Sequence, residues 1–529
     1  MDFTLPPLDG GDAPSFRTAA EAKDWAATLP LASPALALAE LRSELDRLNT
    51  VALPTAERLS TVDALGKTLL YVQEESAKRY VGKPLPLLAG EQMVLDAAVG
   101  LDRAVLLNYL RCVEQAAGDN KLLAAALERS FAALADLQLT LLRARRLLPA
   151  SAWRLTGELL QTLEAQGLGK TEVSHLLRHG NPTTPLAAAG ELFLMAAASP
   201  HELSLRHLGW AARWARRWGS KLELAATPPS DLAATPLCID LAGAQAPRTN
   251  PYSGDGARFI ETGALRVSIK ARLAALADGR SPVELGLGDD CPAPACEALL
   301  KTLYQRWCKG VIVRDAERRP AEGAGRLILS LEAMHYHLSG GRSLRPMEVE
   351  PTLADLRRQR EQMATFGTMH ERPEQAKASN PANYPIEEGW QLRDESATGL
   401  RITRDAGTEG GRIALGQLVA VEPPGARQFF LAVVRWMMWL EDGRLQAGVR
   451  LLPGPVEALA ARVSGSREAE KPAFLLPAFA PRKEPASVIL PAGTLRQALI
   501  LDVRGDQVWQ IAPGPLMERG EGFERARCE

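Results

Sequence analysis

Between Trp390 and Pro453 the chain reads as a series of short antiparallel strands, and this stretch limits the fold more than any other. It runs W-Q-L-R-D-E-S-A-T-G-L-R-I, then R-I-A-L-G-Q-L-V-A-V-E-P-P-G, then F-F-L-A-V-V-R-W-M-M-W-L-E-D-G-R-L-Q-A-G-V-R-L-L-P. Apolar runs of strand length, rich in Val, Phe, Trp and Leu and separated by Gly, Pro and Asp-Gly, favour strands joined by tight turns. Asp442-Gly443 is the clearest hairpin signal, because a type I′ turn needs positive φ and this pair adopts it at little cost.

Within the stretch, Asp394, Ser396 and Gly399 are spaced Asp-x-Ser-x-x-Gly, and Val434-Arg435-Trp436 and Gly448-Val449 follow in order. Together these residues, within about 386–456, resemble the PilZ family of small antiparallel β-barrels, many of which bind cyclic di-GMP. The resemblance implies that Asp394 and Ser396 hydrogen-bond a guanine and that Gly399 permits a tight turn. The chemistry is sound, since a carboxylate accepts the guanine N–H donors and a hydroxyl serves in either role. The same two side chains also stabilise turns of their own, and the two roles are compatible. Binding members of that family carry Arg-x-x-x-Arg upstream, whose planar guanidiniums suit phosphate and guanine better than lysine does. At the family's usual distance before the motif this chain has no such pair. Arg357, Arg358 and Arg360 stand nearby in L-R-R-Q-R-E-Q, either as phosphate partners or as a solvated helix face, and Arg372, Arg393 and Arg401 are further candidates.

The length of 529 residues favours about three or four domains. A formal net charge of -1 gives no reason to expect a nucleic-acid binder, which needs a basic face. The N-terminus lacks the charged and apolar regions of a secretory signal, and no run approaches the roughly 20 apolar residues of a membrane span. A cytoplasmic protein is expected, with Cys112, Cys238, Cys291, Cys296, Cys308 and Cys528 as free thiols.

In order, residues 1–15 form an irregular lead-in and 16–220 a helical bundle domain. In the bundle, Leu38, Leu41, Leu45 and Leu48 make one stripe, and further helices are predicted over 56–77, 90–115, 121–148 and 152–166. Residues 221–345 read as a mixed α+β domain, in which R-L-I-L-S-L-E-A-M-H-Y-H-L is expected as a strand. Residues 346–385 supply a helix and a polar, Pro-punctuated linker. Residues 386–529 give the PilZ-like barrel and a C-terminal extension, with V-E-A-L-A-A-R-V as a short helix and three further strands that complete or extend the barrel.

Other patterns have plainer readings. Gly167-Leu168-Gly169-Lys170-Thr171 resembles the end of a phosphate loop, but Glu164 replaces the first glycine, so it is read as a turn between helices. His175 and His179 are read as surface histidines, and His335 and His337 as neighbours on one strand face. Trp210, Trp214 and Trp218, four apart, mark a core seam or, with Arg213, Arg216 and Arg217, a basic aromatic face. The thiol spacings are outside common zinc patterns, so no metal site is expected. No nucleophile–base pair stands out, so no enzyme is expected. The reading is a multidomain cyclic di-GMP receptor without catalysis, whose helical region contacts an unidentified protein partner. The other reading is an adaptor whose barrel keeps the fold without the nucleotide.

Overall fold

A computed structural model describes residues 1–8, 12–116, 118–175, 178, 182–227, 237–249, 254–310, 317–344, 357, 360–361, 363–365, 381–405, 407–466, 468–495 and 500–528. The chain divides into two compact units, Met1–Lys83 with Leu87–Val313, and Arg314–Glu529 with Pro84–Pro86.

The first unit opens with α1 (Ala19–Ala26), α2 (Pro34–Leu48), α3 (Thr55–Ala64), α4 (Gly66–Ala77), α5 (Ala89–Gln115), α6 (Asn120–Arg143) and α7 (Ala150–Ala165). Leu38, Leu41, Leu45 and Leu48 are each at most 2% exposed, so the stripe read from their spacing does face the core. The helix expected over 56–77 is two helices broken at Leu65. Helix α6 is buried on nearly every side, from Leu123 to Leu142, and the other elements pack around it. After α7, β1 (Val173–Ser174) pairs with β2 (Pro182–Thr183), and helices Pro185–Ala197 and Leu205–Trp218 follow. A three-stranded sheet ordered β3-β5-β4 comes next, from Glu223–Ala225, Leu237–Asp240 and Ala257–Glu261. Helices Gly263–Ala277 and Ala293–Lys309 complete the unit.

The segment 221–345 was expected as a domain of its own, and the structure divides it between the two units. Its helices and strands up to Lys309 share one continuous hydrophobic core with the helical region. Tryptophan explains why. Trp210, Trp214 and Trp218 are at most 1% exposed, which makes the seam a core element. The Trp214 indole donates to Leu287 O at 2.9 Å, that of Trp307 to Leu194 O at 2.7 Å, and that of Trp210 to Asp290 at 2.9 Å. Each bond satisfies a buried N–H and fastens the later segment to the earlier helices.

The second unit holds a closed barrel ordered β10-β11-β8-β7-β6-β9. Its strands are β6 (Arg319–Ile328), β7 (Glu387–Ser396), β8 (Gly399–Asp405), β9 (Leu418–Glu422), β10 (Phe430–Trp439) and β11 (Arg444–Leu451). The Asp442-Gly443 turn joins β10 to β11, but only Gly443 has positive φ, at 81°, so the hairpin forms without the type I′ turn that the pair suggested. Strand β6 corrects the domain reading, because it precedes the linker and yet closes the barrel between β7 and β9. Its sequence, R-P-A-E-G-A-G-R-L-I, is a poor strand former, and two register shifts accommodate the Pro and Gly.

The stretch expected as one strand through His337 ends at Ile328 and becomes the helix Leu331–Leu338, capped by Ser330. His335 and His337 therefore share no strand face. His335 is buried, which lowers its pKa to about 4, and His337 contacts Tyr384 O at 2.9 Å. The predicted helix V-E-A-L-A-A-R-V is strand β12 (Glu457–Val463) of a second sheet. That sheet also contains β13 (Lys471–Leu476), β14 (Ser487–Pro491), β15 (Leu501–Arg504), β16 (Val508–Ile511), β17 (Pro513–Arg519) and β18 (Phe523–Cys528), in the order β16-β15-β12-β13-β14-β18-β17. The C-terminal strands thus build a separate sheet and do not complete the barrel. The two layers share a core that includes Leu418, Leu431, Phe474, Ile489 and Phe523.

Candidate ligand site on the barrel

The Asp-x-Ser-x-x-Gly motif occupies the end of β7 and the start of β8, with Ala397 and Thr398 as the connecting turn. The Ser396 hydroxyl donates to Gly399 O at 3.2 Å and accepts from Thr398 N at 3.4 Å, so it holds the turn that carries it. Gly399 is needed for closeness: it has no positive φ, but a Cβ there would collide with Val449 O on β11.

Asp394 is only 8% exposed and lies between two arginines. Arg318 Nη1 donates to one carboxylate oxygen at 2.6 Å, and Arg401 Nη2 meets the other at 2.7 Å. Both guanidiniums remain about a third exposed, at 34% and 39%, and each has further N–H donors. The row continues across the sheet. Arg401 pairs in register with Gly448 on β11, and Gly448 with Trp436 on β10. A side chain at 448 would strike the Trp436 indole nitrogen, so the indole lies close against bare backbone. A β-bulge at Arg435 shifts the register just before Trp436. Arg435 and Arg450 both clasp Glu518 of β17, at 2.9 and 2.7 Å. Arg482, in the 3-10 turn Ala480–Arg482 between β13 and β14, donates to Ala397 O at 2.5 Å at the tip of the motif turn.

Of the residues read from sequence, the structure brings Asp394, Ser396, Gly399 and Arg401 together. Arg393 stands at a β-bulge, and Arg318 and Arg401 reach Asp394 in its place. Arg357 and Arg360 are exposed helical residues with no contact to Asp394 among the described residues, while Arg358 and Arg372 lie outside them. Sequence reasoning missed Arg318. The signal was present, since Arg314 and Arg318 form an Arg-x-x-x-Arg pattern, but 76 residues separate Arg318 from Asp394. Arg314 is outside the described residues.

The other candidate positions resolve simply. Gly167 ends α7 at φ 63°, and Leu168 N returns to Leu163 O, which is a helix C-cap. His175 was expected at the surface and instead faces the fully buried Glu128 at 3.0 Å, while His179 lies outside the described residues. All six cysteines are free thiols. Among the described residues no group of three or more His, Cys, Asp or Glu could hold a metal, and no helix is long and apolar enough to cross a membrane.

A Gly448→Ala substitution should push the Trp436 indole out of its place, because the new methyl takes the space the ring fills. Near-ultraviolet circular dichroism would register the change, with far-ultraviolet spectra unaltered.

Residues 20–229 match the family described as the N-terminal domain of the cyclic-di-GMP receptor FimW. The chain is also similar to the protein named Cyclic-di-GMP receptor FimW from Pseudomonas aeruginosa, 22% identical over 90% of this chain and 84% of that protein. No solved structure matches. The sequence reading found no family for the helical region, and it is this region that the family match covers.

Proposed function

We propose that the chain is a cyclic di-GMP receptor whose ligand docks on the outer face of the barrel, along the row from Arg318 through Asp394 and Arg401 to Trp436. The arginine–carboxylate–arginine arrangement around Asp394 carries this reading, and the similarity to a protein named as such a receptor supports it. Asp394 accepts N–H donors of a guanine edge, using acceptor capacity left beyond its two ion pairs. Arg318 and Arg401 turn their remaining donors to phosphate, for which a planar fork is suited. Trp436 offers an aromatic face at the end of the row, and Ser396 and Gly399 set the turn. Arg314, four residues before Arg318, supplies the second arginine of the pair that the PilZ resemblance calls for. In this reading the helical unit carries the contact with a protein partner, and the nucleotide changes that contact only as far as it binds one arrangement better than the other.

One observation favours the adaptor reading. Both oxygens of Asp394 are already paired, as they would be in an ion network that serves only the fold. Thermal unfolding separates the two readings. A receptor gains about 2.7 kcal/mol with ligand at a hundred times its Kd, and Asp394→Ala removes the gain. An unchanged melting curve for the wild type at saturating nucleotide would leave the adaptor.

A further inference from the structure

The helical unit contains a cavity of its own. A cavity of about 590 Å³ runs along α6, walled on one side by α4 and α5 and on the other by helix Leu205–Trp218. That volume is in the range of small-molecule sites, roughly 300–1,000 Å³. Its floor is carbon, from Leu101, Val105, Ala132, Ala133 and Leu139. Two sets of polar groups are built into it.

The first set centres on Asp102. One carboxylate oxygen accepts from Gln73 Nε2 at 2.7 Å and the other from Thr140 Oγ1 at 2.6 Å, which leaves each with a further acceptor position. The Gln73 amide nitrogen is fully used, since it also donates to Ala98 O at 3.0 Å, and its Oε1 is buried with no partner. Side by side, these groups form a fixed surface of acceptors that asks for N–H donors. Burial pushes the Asp102 pKa up to about 7, which marks a carboxyl poorly served by its present surroundings.

The second set is an ion network with cations at its rim. Arg178 is held by Asp136 at 2.5 Å and Glu191 at 3.0 Å, and its Nε is buried without a partner. Arg216 joins the same two carboxylates, the more exposed Arg213 pairs with Asp290 at 2.7 Å and keeps further N–H donors, and Lys67 stands opposite at the rim of the cavity. Unpaired buried polar atoms cost free energy, so a preformed cavity that keeps both an orphan acceptor and an orphan donor suits a molecule that meets both.

We infer that this cavity binds a small organic molecule with an N–H-donating planar head and an anionic tail, the head against Asp102 and Gln73 and the tail toward Arg178, Lys67 and Arg213. Guanosine monophosphate is the simplest probe of that class, because its base presents adjacent N–H donors and its phosphate the charge. Titration of the full chain should show saturable binding, with inorganic phosphate alone and unphosphorylated guanosine each weaker by about tenfold or more. Ala133→Trp, which fills the floor, should abolish binding. The rim substitution Lys67→Glu should weaken it about threefold to tenfold without touching the core, and saturable binding should persist in an Asp394→Ala background, where the guanine-reading row of the barrel is silenced. Absence of binding at millimolar probe overturns the proposal. So does binding that survives both cavity variants, or that disappears with Asp394→Ala, because the probe would then be on the barrel.

Discussion

Replacing Arg318 with alanine should weaken cyclic di-GMP binding by about 100-fold, the effect of losing one charge-assisted contact of ~1.5–3 kcal/mol together with the orientation of Asp394. The substitution removes the partner that donates at 2.6 Å to the Asp394 carboxylate. Arg401 still holds the other oxygen, so the carboxylate keeps one partner but loses its fixed direction. Arg318→Lys should recover only a small part of the loss, because an ammonium keeps the charge without the planar fork. Since Arg318 is about a third exposed, the substitution should leave the melting temperature nearly unchanged. Competition binding against labelled nucleotide reads the affinity, and a variant that binds as the wild type does would remove Arg318 from the site.

The largest effect on stability is expected at Trp214. Its side chain is wholly buried, stands 6.0 Å from the Trp218 ring, and donates to Leu287 O at 2.9 Å. Trp214→Ala opens a cavity and orphans that carbonyl, a combination that costs about 3–5 kcal/mol in well-packed cores. Because the bond joins helix Leu205–Trp218 to the segment near Leu287, residues up to Lys309 should melt with the helices in one transition. Calorimetry on the fragment 1–313 should show one peak moved to lower temperature. Two separate peaks in the wild type would contradict the shared core.

Much of the helical unit was legible because its signals are local. The leucines of α2 repeat at helical spacing and are buried, and the tryptophans four apart in Leu205–Trp218 form a seam because no other face of that helix is apolar enough to bury. The motif turn was legible for a similar reason, since Ser396 and Gly399 close it through contacts a few residues apart. What failed depended on partners distant in sequence. The segment of β12 has helix-forming Ala, Leu and Arg, yet Ala458 to Ala461 are buried between β13 and β15, and pairing overrides propensity there. Strand β6, with its Pro and glycines, is a strand only because β7 and β9 flank it. Arg318 escaped notice for the same reason, since the chain between β6 and β7 separates it from the aspartate it meets.

The claim on which the account rests is that the barrel row reads a guanine dinucleotide. Isothermal titration of the intact chain with cyclic di-GMP tests it most directly, run beside Arg318→Ala and Asp394→Ala. The account predicts a saturable heat for the wild type that Asp394→Ala abolishes and that Arg318→Ala weakens by about 100-fold. No heat at high micromolar nucleotide, or the same heat from all three proteins, would contradict it.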